Sequence, residues 1–393
     1  MKSWRPSVTN FFQQFVHKCC FAVVLSLFVY GCGCQSDPEL GYAKGQSAFD
    51  NADYKTAAEN FAAVVEQDPG NIDALVMLAR SECALGNYDA AASAVEKAAE
   101  TNGGDVDIIE LSAQIAFYRK DYKQATKAYH RLAGNLELSP AVRSVGWAGL
   151  GAIDFFMIDK QQPSSTLIHE ARVKFLQAIF LDNKNATAHY HLALLNRDSF
   201  HYLDKARDEF SAYLYLEDVV DERVNRVKNE ILPSLKDEIK KSAESANDDV
   251  DSRGCAAMLK KGKTYYDRKQ YKEAVDAYSR ALKCNPNSYQ AALELARSYV
   301  SVNRSRYDKE HALKAYQKAC KIRPSAIKLH LEAGNLAMRI EKWAVAVELY
   351  SRALSASPTS IEAVKGLVAA LEKQGDSQAA SVYRGYLRTL TKK

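Results

Sequence analysis

Apolar and polar residues alternate along this chain with the period of an amphipathic helix rather than that of a strand, and the helices come in pairs. The clearest pair runs from Cys255 to Asn287, CAAMLKKGKTYYDRKQYKEAVDAYSRALKCNPN. Gly262, Tyr265, Tyr271, Ala274, Tyr278 and Ala281 fall on the facing sides of two helices; a short turn separates them and Pro286 closes the second. Small side chains at Gly262 and Ala274 let such helices cross closely, and the three tyrosines fill the space around the crossing. One hairpin of this kind cannot bury its apolar face alone, so it needs neighbours.

The neighbours recur with a period of about 34 residues. Before the Cys255 hairpin, Gly45, Tyr54, Ala57, Phe61 and Pro69 repeat its pattern, then Ala79, Tyr88, Ala91 and Val95, then Ala113, Tyr122, Ala125 and Tyr129. After it come Ala296, Ala312, Tyr316, Ala319 and Pro324, with a longer inter-helix loop. Gly334, Trp343, Ala346, Tyr350, Ala353 and Pro358 follow, and last Leu367, Leu371, Ala380 and Leu387. Residues 140–216 keep the plan but drift from it, with a loop expected at 159–165.

This register resembles the tetratricopeptide repeat family from Pro38 onward. The resemblance implies an all-α fold: a superhelical α-solenoid of about nine tetratricopeptide-like hairpins, whose concave groove binds proteins or peptides and performs no catalysis. A break is expected near 217–254. There EDVVDERVNRVKNEILPSLKDEIKKSAESAN reads as a charged helix that Pro233 kinks or divides, followed by a hinge at 247–252. The expected organisation is therefore a leader (1–31), a short tether (32–37), an N-terminal repeat block (38–216), the linking helix and hinge (217–254), and a C-terminal repeat block (255–393).

The leader decides the compartment. Lys2, Arg5 and Lys18 precede CCFAVVLSLFVYGC. An apolar run of about a dozen residues suits the core of a signal peptide and falls short of the roughly 20 that a membrane-spanning helix needs. Val29-Tyr30-Gly31-Cys32 looks like a bacterial lipobox, which would make Cys32 the acylated first residue of the mature protein. Cys34 also follows a glycine, but Gly31 stands three positions before it where Cys32 has Val29. The alternatives are an ordinary cleaved signal and an uncleaved anchor, the latter leaving the repeats on the same outer face. The expected location is the bacterial cell envelope, at the outer membrane facing the periplasm.

Net charge changes the picture through its distribution. The formal total is +5, but residues 33–110 carry a net of −11 and residues 254–393 a net of +14. Such asymmetry orients an approaching partner. No nucleic-acid module accompanies the basic half. On the family's geometry the first helix of each hairpin lines the groove. Lys263, Tyr266, Arg297, Asn335, Met338 and Arg339 then become candidate partner-binding residues, a basic stripe beside apolar and aromatic surface suited to an acidic protein or peptide. Leu259 stands where the family's carboxylate clamp has lysine, and Lys263 where it has asparagine, so that clamp is not expected.

Candidate chemistry is sparse. His189 and His191 are two apart and cannot share a helix face, and no metal-ligand spacing occurs. Cys284 and Cys320 occupy nearly equivalent positions in adjacent hairpins, about 9–10 Å apart, too far for a disulfide; small buried hydrophobes are the expected role. No nucleophile, phosphate loop or acid pair stands out, so no cofactor, metal or small-molecule substrate is expected. The leading function is a non-enzymatic envelope lipoprotein serving as a protein- or peptide-binding scaffold. The alternative is a structural subunit of an outer-membrane assembly, secretion or polysaccharide-export system.

Overall fold

The computed structural model describes residues 38–158, 164–217, 222–244, 252–302 and 305–391. Among them every regular element is helical. Cys32, the tether, residues 159–163 of the expected loop, and the hinge up to residue 251 lie outside the described residues. In chain order the helices are α1 (Pro38–Asp50), α2 (Tyr54–Gln67), α3 (Ile72–Ala84), α4 (Tyr88–Asn102), α5 (Val106–Tyr118), α6 (Tyr122–Gly134) and α7 (Pro140–Met157). Then come α8 (Ser165–Leu181), α9 (Ala186–Asp198), α10 (Leu203–Leu216), α11 (Glu222–Arg226) and α12 (Leu232–Glu244), the last two joined by a π-helical turn at Val227–Ile231. The series closes with α13 (Ser252–Asp267), α14 (Tyr271–Cys284), α15 (Tyr289–Val302), α16 (Arg306–Ile322), α17 (Ile327–Arg339), α18 (Trp343–Ala356), α19 (Ile361–Gln374) and α20 (Ser377–Thr391). The expected all-α array of paired helices is what forms.

Three of the hairpins share one crossing. The crossing pairs a small residue of the first helix with a ring of the second, sixteen positions on in Gly45–Phe61, Gly262–Tyr278 and Gly334–Tyr350. A Cβ at Gly262 would stand 2.7 Å from the Tyr278 ring, and one at Gly334 2.9 Å from the Tyr350 ring. Nothing but glycine fits there without displacing the ring. Side chains cap the helix starts: Asp53 accepts from Thr56 N, Asn71 from Ala74 N, Asp121 from Gln124 N and Ser360 from Ala363 N, at 3.0–3.2 Å. Each such cap contributes about 1 kcal/mol.

The turn inside six of the hairpins is also fixed. Ala52, Gly86, Lys120, Lys269, Glu341 and Gly375 all have positive φ, between 59° and 93°. In each case the next residue's N–H reaches back to close the first helix, as in Asp53 N to Ala48 O (2.9 Å) and Asp121 N to Ala116 O (2.9 Å). Four of these six carry a side chain in a region that costs an L-residue roughly 1–2 kcal/mol.

The chain separates into two compact units that do not follow chain order. The first takes in the described residues up to Met157 with Gln177–His189 and Ala212–Glu230; the second takes in Ile158–Leu176, Tyr190–Ser211 and Ile231–Lys393. In the first, apolar clusters fill the seams between hairpins, around Phe61 and Met77, around Val95 and Ile108, and around Tyr129 and Ile153. Ser144 Oγ on α7 donates to Ala178 O (2.9 Å) and accepts from Asn185 Nδ2 (2.8 Å), tying α7 to the α8–α9 junction.

The second unit contains a contact that repeat periodicity does not predict. Residues of α8 and α10 pack against α18 and α20, far along the chain. Arg172 is fully buried, and its Nη2 donates to Ser351 O (2.7 Å) and to Ser355 Oγ. Its guanidinium lies over the Phe200 ring at 4.6 Å; Phe200 stacks on Tyr202 at 5.6 Å; and Arg352 lies over Tyr202 at 4.4 Å. The turn between α9 and α10 is thus a two-ring wedge held between two cations. His169 Nδ1 and the Tyr383 hydroxyl pair at 2.9 Å beside it. Burial, and then the Arg172 charge, pushes the His169 imidazole down to about 4, against a weaker pull from Asp376.

The linking helix is interrupted just ahead of Pro233. In a regular α-helix the proline ring would clash with the carbonyl of Asn229 and leave it without a donor. The π-helical turn directly ahead of Pro233 widens the backbone there instead.

Two outcomes are expected. Lys120→Gly and Glu341→Gly, at exposed turn positions, raise stability in chemical denaturation, by about 1 kcal/mol at most because glycine also frees the unfolded chain, and Gly86→Ala lowers it by a similar amount. The second concerns pH. His169 is held neutral, so its contribution is complete above its ordinary value near 6.5 and is lost as pH falls from there towards about 4. Thermal melts from pH 7 to pH 4 should fall less steeply for His169→Gln than for the wild type.

Candidate functional site

The candidate partner-binding residues sit on α13, α15 and α17, the first helices of three successive hairpins in the second unit. Lys263 is exposed on α13, and Tyr266, one turn on, is half-buried. The Tyr266 hydroxyl lies 3.3 Å from Ser301 Oγ on α15, and its ring meets Tyr271 edge-on at 5.3 Å. Asn335 is exposed on α17; its Oδ1 accepts from the Tyr350 hydroxyl at 2.6 Å. Met338 is half-buried and Arg339 exposed at the end of the same helix.

Arg297 bridges the row. Its Nη1 lies 3.5 Å from Glu294 Oε1 on its own helix, and its Nη2 lies 3.9 Å from Glu332 Oε1 on α17. Glu332 Oε2 also accepts from the Tyr316 hydroxyl at 3.3 Å. The structure therefore brings Tyr266 to α15 and Arg297 to α17, but Arg297 is neutralised by two glutamates. Lys263 and Arg339 have no ion-pair partner among the described residues. The face is a row of alternating charge with cations free at its ends, and sequence reasoning missed Glu294 and Glu332. Glu294, three residues before Arg297, was visible as a same-helix pair; Glu332 was hidden by the longer loop between α15 and α16, which shifts the repeat register.

The surrounding hydroxyls are donors at neutral pH. Burial pushes the Tyr278, Tyr316 and Tyr350 phenols up to about 12, with Glu294, Glu332 and Glu362 respectively adding to the effect. Burial does the same to the thiols of Cys83 and Cys320, which also rise to about 12 and are poor nucleophiles. Among the described residues no group of three or more His, Cys, Asp or Glu is placed to hold a metal ion, and no helix is long and apolar enough to cross a membrane. Such a face can present hydrogen bonds, rings and charge to a partner.

The cysteines depart from expectation. Cys255, at the start of α13, forms a disulfide with Cys284, at the end of α14, with a Cα separation of 5.4 Å. Antiparallel helices of one hairpin bring those two ends together, whereas Cys284 and Cys320 lie in successive hairpins; Cys83 and Cys320 are the buried free thiols. The clip has a local reason. Ala256, Ala257, Lys260, Lys261, Lys263 and Thr264 on α13 are all exposed, so this helix is covered far less than α17, where seven residues are buried.

Comparison with known proteins bears on α13 and on most of α17. Residues 48–115, 256–288 and 331–391 each match a family model described as tetratricopeptide repeat. Human Superkiller complex protein 3 is 25% identical over 331 residues, covering 83% of this chain and 20% of that protein. The chain thus spans about one fifth of that relative's length. Among solved structures, Pseudomonas aeruginosa pilF is similar at 14% identity over 65% of this chain and 94% of its own, with a TM-score of 0.37. A tetratricopeptide repeat protein from Parabacteroides merdae ATCC 43184 is similar at 14% identity over 77% of this chain and 98% of its own, with a TM-score of 0.34.

The disulfide closes a loop with a sequence separation of 29 residues. On loop entropy it stabilises the hairpin by about 3–4 kcal/mol. Reduction, or Cys255→Ala with Cys284→Ala, is therefore expected to speed amide exchange in α13 and α14 while leaving α18 and α19 unchanged.

Proposed function

We propose that this chain, three stretches of which match tetratricopeptide repeats, is a non-catalytic scaffold for binding proteins or peptides and works as a bacterial envelope lipoprotein. Cys32 is the acylated residue and the leader ends at residue 31. The repeat blocks at 38–216 and 255–393, joined by 217–254, stand outside the cytoplasm, at the outer membrane facing the periplasm. Two features support this reading. Val29-Tyr30-Gly31-Cys32 follows a basic segment and a short apolar run. The Cys255–Cys284 disulfide suits an oxidising compartment rather than a reducing one.

The partner is a protein or peptide carrying carboxylates, and it docks on α13, α15 and α17. The observation that carries this is the pair of exposed cations, Lys263 and Arg339, flanking half-buried Tyr266 and Met338. Arg297 acts differently from the other two. It opens to a carboxylate only by exchanging its bonds with Glu294 and Glu332, so it adds selectivity rather than long-range attraction. Asn335 contributes a polar contact already oriented by Tyr350.

Two measurements test this reading. Intact mass of protein recovered from its native membranes should show a chain beginning at an acylated Cys32; a soluble chain retaining residues 1–31 would exclude the lipoprotein. A fluorescent peptide rich in glutamate with one leucine anchor should bind the soluble repeats. Lys263→Glu with Arg339→Glu should weaken it at least tenfold, and equal binding by that variant would exclude this face as the docking surface.

A further inference from the structure

A first helix inside a repeat array is covered on one side by its own hairpin and on the other by the hairpin before it. So it is in α3, α5, α15 and α17, with seven, eight, six and seven buried residues respectively. α13 is different. Among its described residues only Cys255 and Gly262 are buried, as few as in α1, where Gly45 and Phe49 are. Ala256, Ala257, Lys260, Lys261, Thr264 and Asp267 are exposed on the side away from Gly262. Arg268 is exposed too, and its N–H still reaches Thr264 O at 3.2 Å, so it extends the row. About half of this helix therefore faces water in mid-chain, and the Cys255–Cys284 disulfide fastens it to α14.

The open face is small and basic. Its alanines and threonine let another helix come close, and Lys260, Lys261 and Arg268 call for carboxylates, with Asp267 the one acid among them. The chain itself carries a face of the opposite kind. The outer side of α4 exposes Asp89, Ala90, Ser93, Glu96, Lys97 and Glu100: small residues again, here with three acids and one cation. Run antiparallel, the two rows keep the same spacing, because Asp89, Ser93, Glu96 and Arg268, Thr264, Lys261 each step by four residues and then by three. Setting Ser93 opposite Thr264 places Glu96 against Lys261 and Asp89 against Arg268. Asp89 also meets Arg119 at 2.9 Å, yet its side chain keeps 92% of its surface. Each face belongs to a region with a surplus of its own sign, −11 over residues 33–110 and +14 over residues 254–393.

We propose that the open face of α13 is a docking surface for α4 of a second copy of this chain. The two faces differ, so the contact is heterologous: a copy that has used one face still offers the other, and the protein builds a file or a ring rather than a closed pair. Small side chains bury little apolar area, so charge complementarity carries the contact. Salt therefore weakens it, as the reach of a charge falls from about 10 Å at 0.1 M to about 3 Å at 1 M. The proposal goes beyond the scaffold reading, does not depend on the leader, and is tested without altering Lys263 or Arg339.

The test is sedimentation of the full chain, disulfide intact and in non-ionic detergent, over a range of protein concentrations. Wild-type protein should gain mass with concentration at about 50 mM salt and lose it at about 0.5 M. Lys260→Glu with Lys261→Glu should weaken association at least tenfold, and so should Glu96→Lys with Glu100→Lys. Mixed together, the two variants should associate again, since each offers the other an opposite charge; recovery also shows that both are folded. Lys260→Gln with Lys261→Gln, which removes charge without reversing it, should give a smaller loss in the same direction. A monomeric wild type at low salt, or a mixture no heavier than its parts, overturns the proposal. So does an association that the α13 variant abolishes and the α4 variant leaves intact, because a different acidic surface then sits on α13.

Discussion

The hairpins that are tightest in this molecule depend on two helices being able to cross with a ring pressed against a bare backbone. Where Gly45 faces Phe61, Gly262 faces Tyr278 and Gly334 faces Tyr350, the ring takes the volume a Cβ would need. That contact sets how closely the hairpin packs, and hence where its first helix presents side chains to a partner. The same rings carry hydroxyls that reach across: Tyr350 to Asn335, and Tyr316 to Glu332. Core and the face proposed for recognition share the same side chains, so a substitution in one is felt in the other.

This economy explains what the sequence makes legible. The crossing pairs recur at fixed spacing, so the hairpins, their turns and their all-helical class can be read before any coordinates. The positive-φ residues recur at the same interval, from Ala52 to Gly86 to Lys120 and again from Glu341 to Gly375. Only two of them are glycine, and that concealed the turn geometry. Of the site, exposure at Lys263 and Arg339 follows from helix position alone. The neutralisation of Arg297 does not, because Glu332 arrives from the next hairpin across a loop of irregular length. Nor does the Cys255–Cys284 clip, since comparing equivalent positions in successive hairpins overlooks the opposite ends of one hairpin.

A nearest-neighbour picture of repeats fails where distant residues meet. In an ideal array each hairpin touches only those beside it, and stability is a sum of local terms. Here Arg172 reaches Ser351, Thr166 reaches Gln378 and His169 meets Tyr383, all within one compact unit. No periodic signal marks these contacts, because each residue takes part in one arrangement that occurs once. The drift has a physical meaning at Thr166, His169, Arg172, Tyr202 and Asp204: these positions answer to a distant surface as well as to adjacent hairpins.

Arg172 is the sharpest instance. Its Nε and Nη1 are buried without a partner, and the groups that do receive it belong to α18. A bare guanidinium in an apolar seam costs several kcal/mol, so the final hairpins act as a lid over a charge placed near the middle of the chain. Shortening this protein from its C-terminus is consequently unlike removing beads from a string. The damage surfaces at α8, well upstream of the cut.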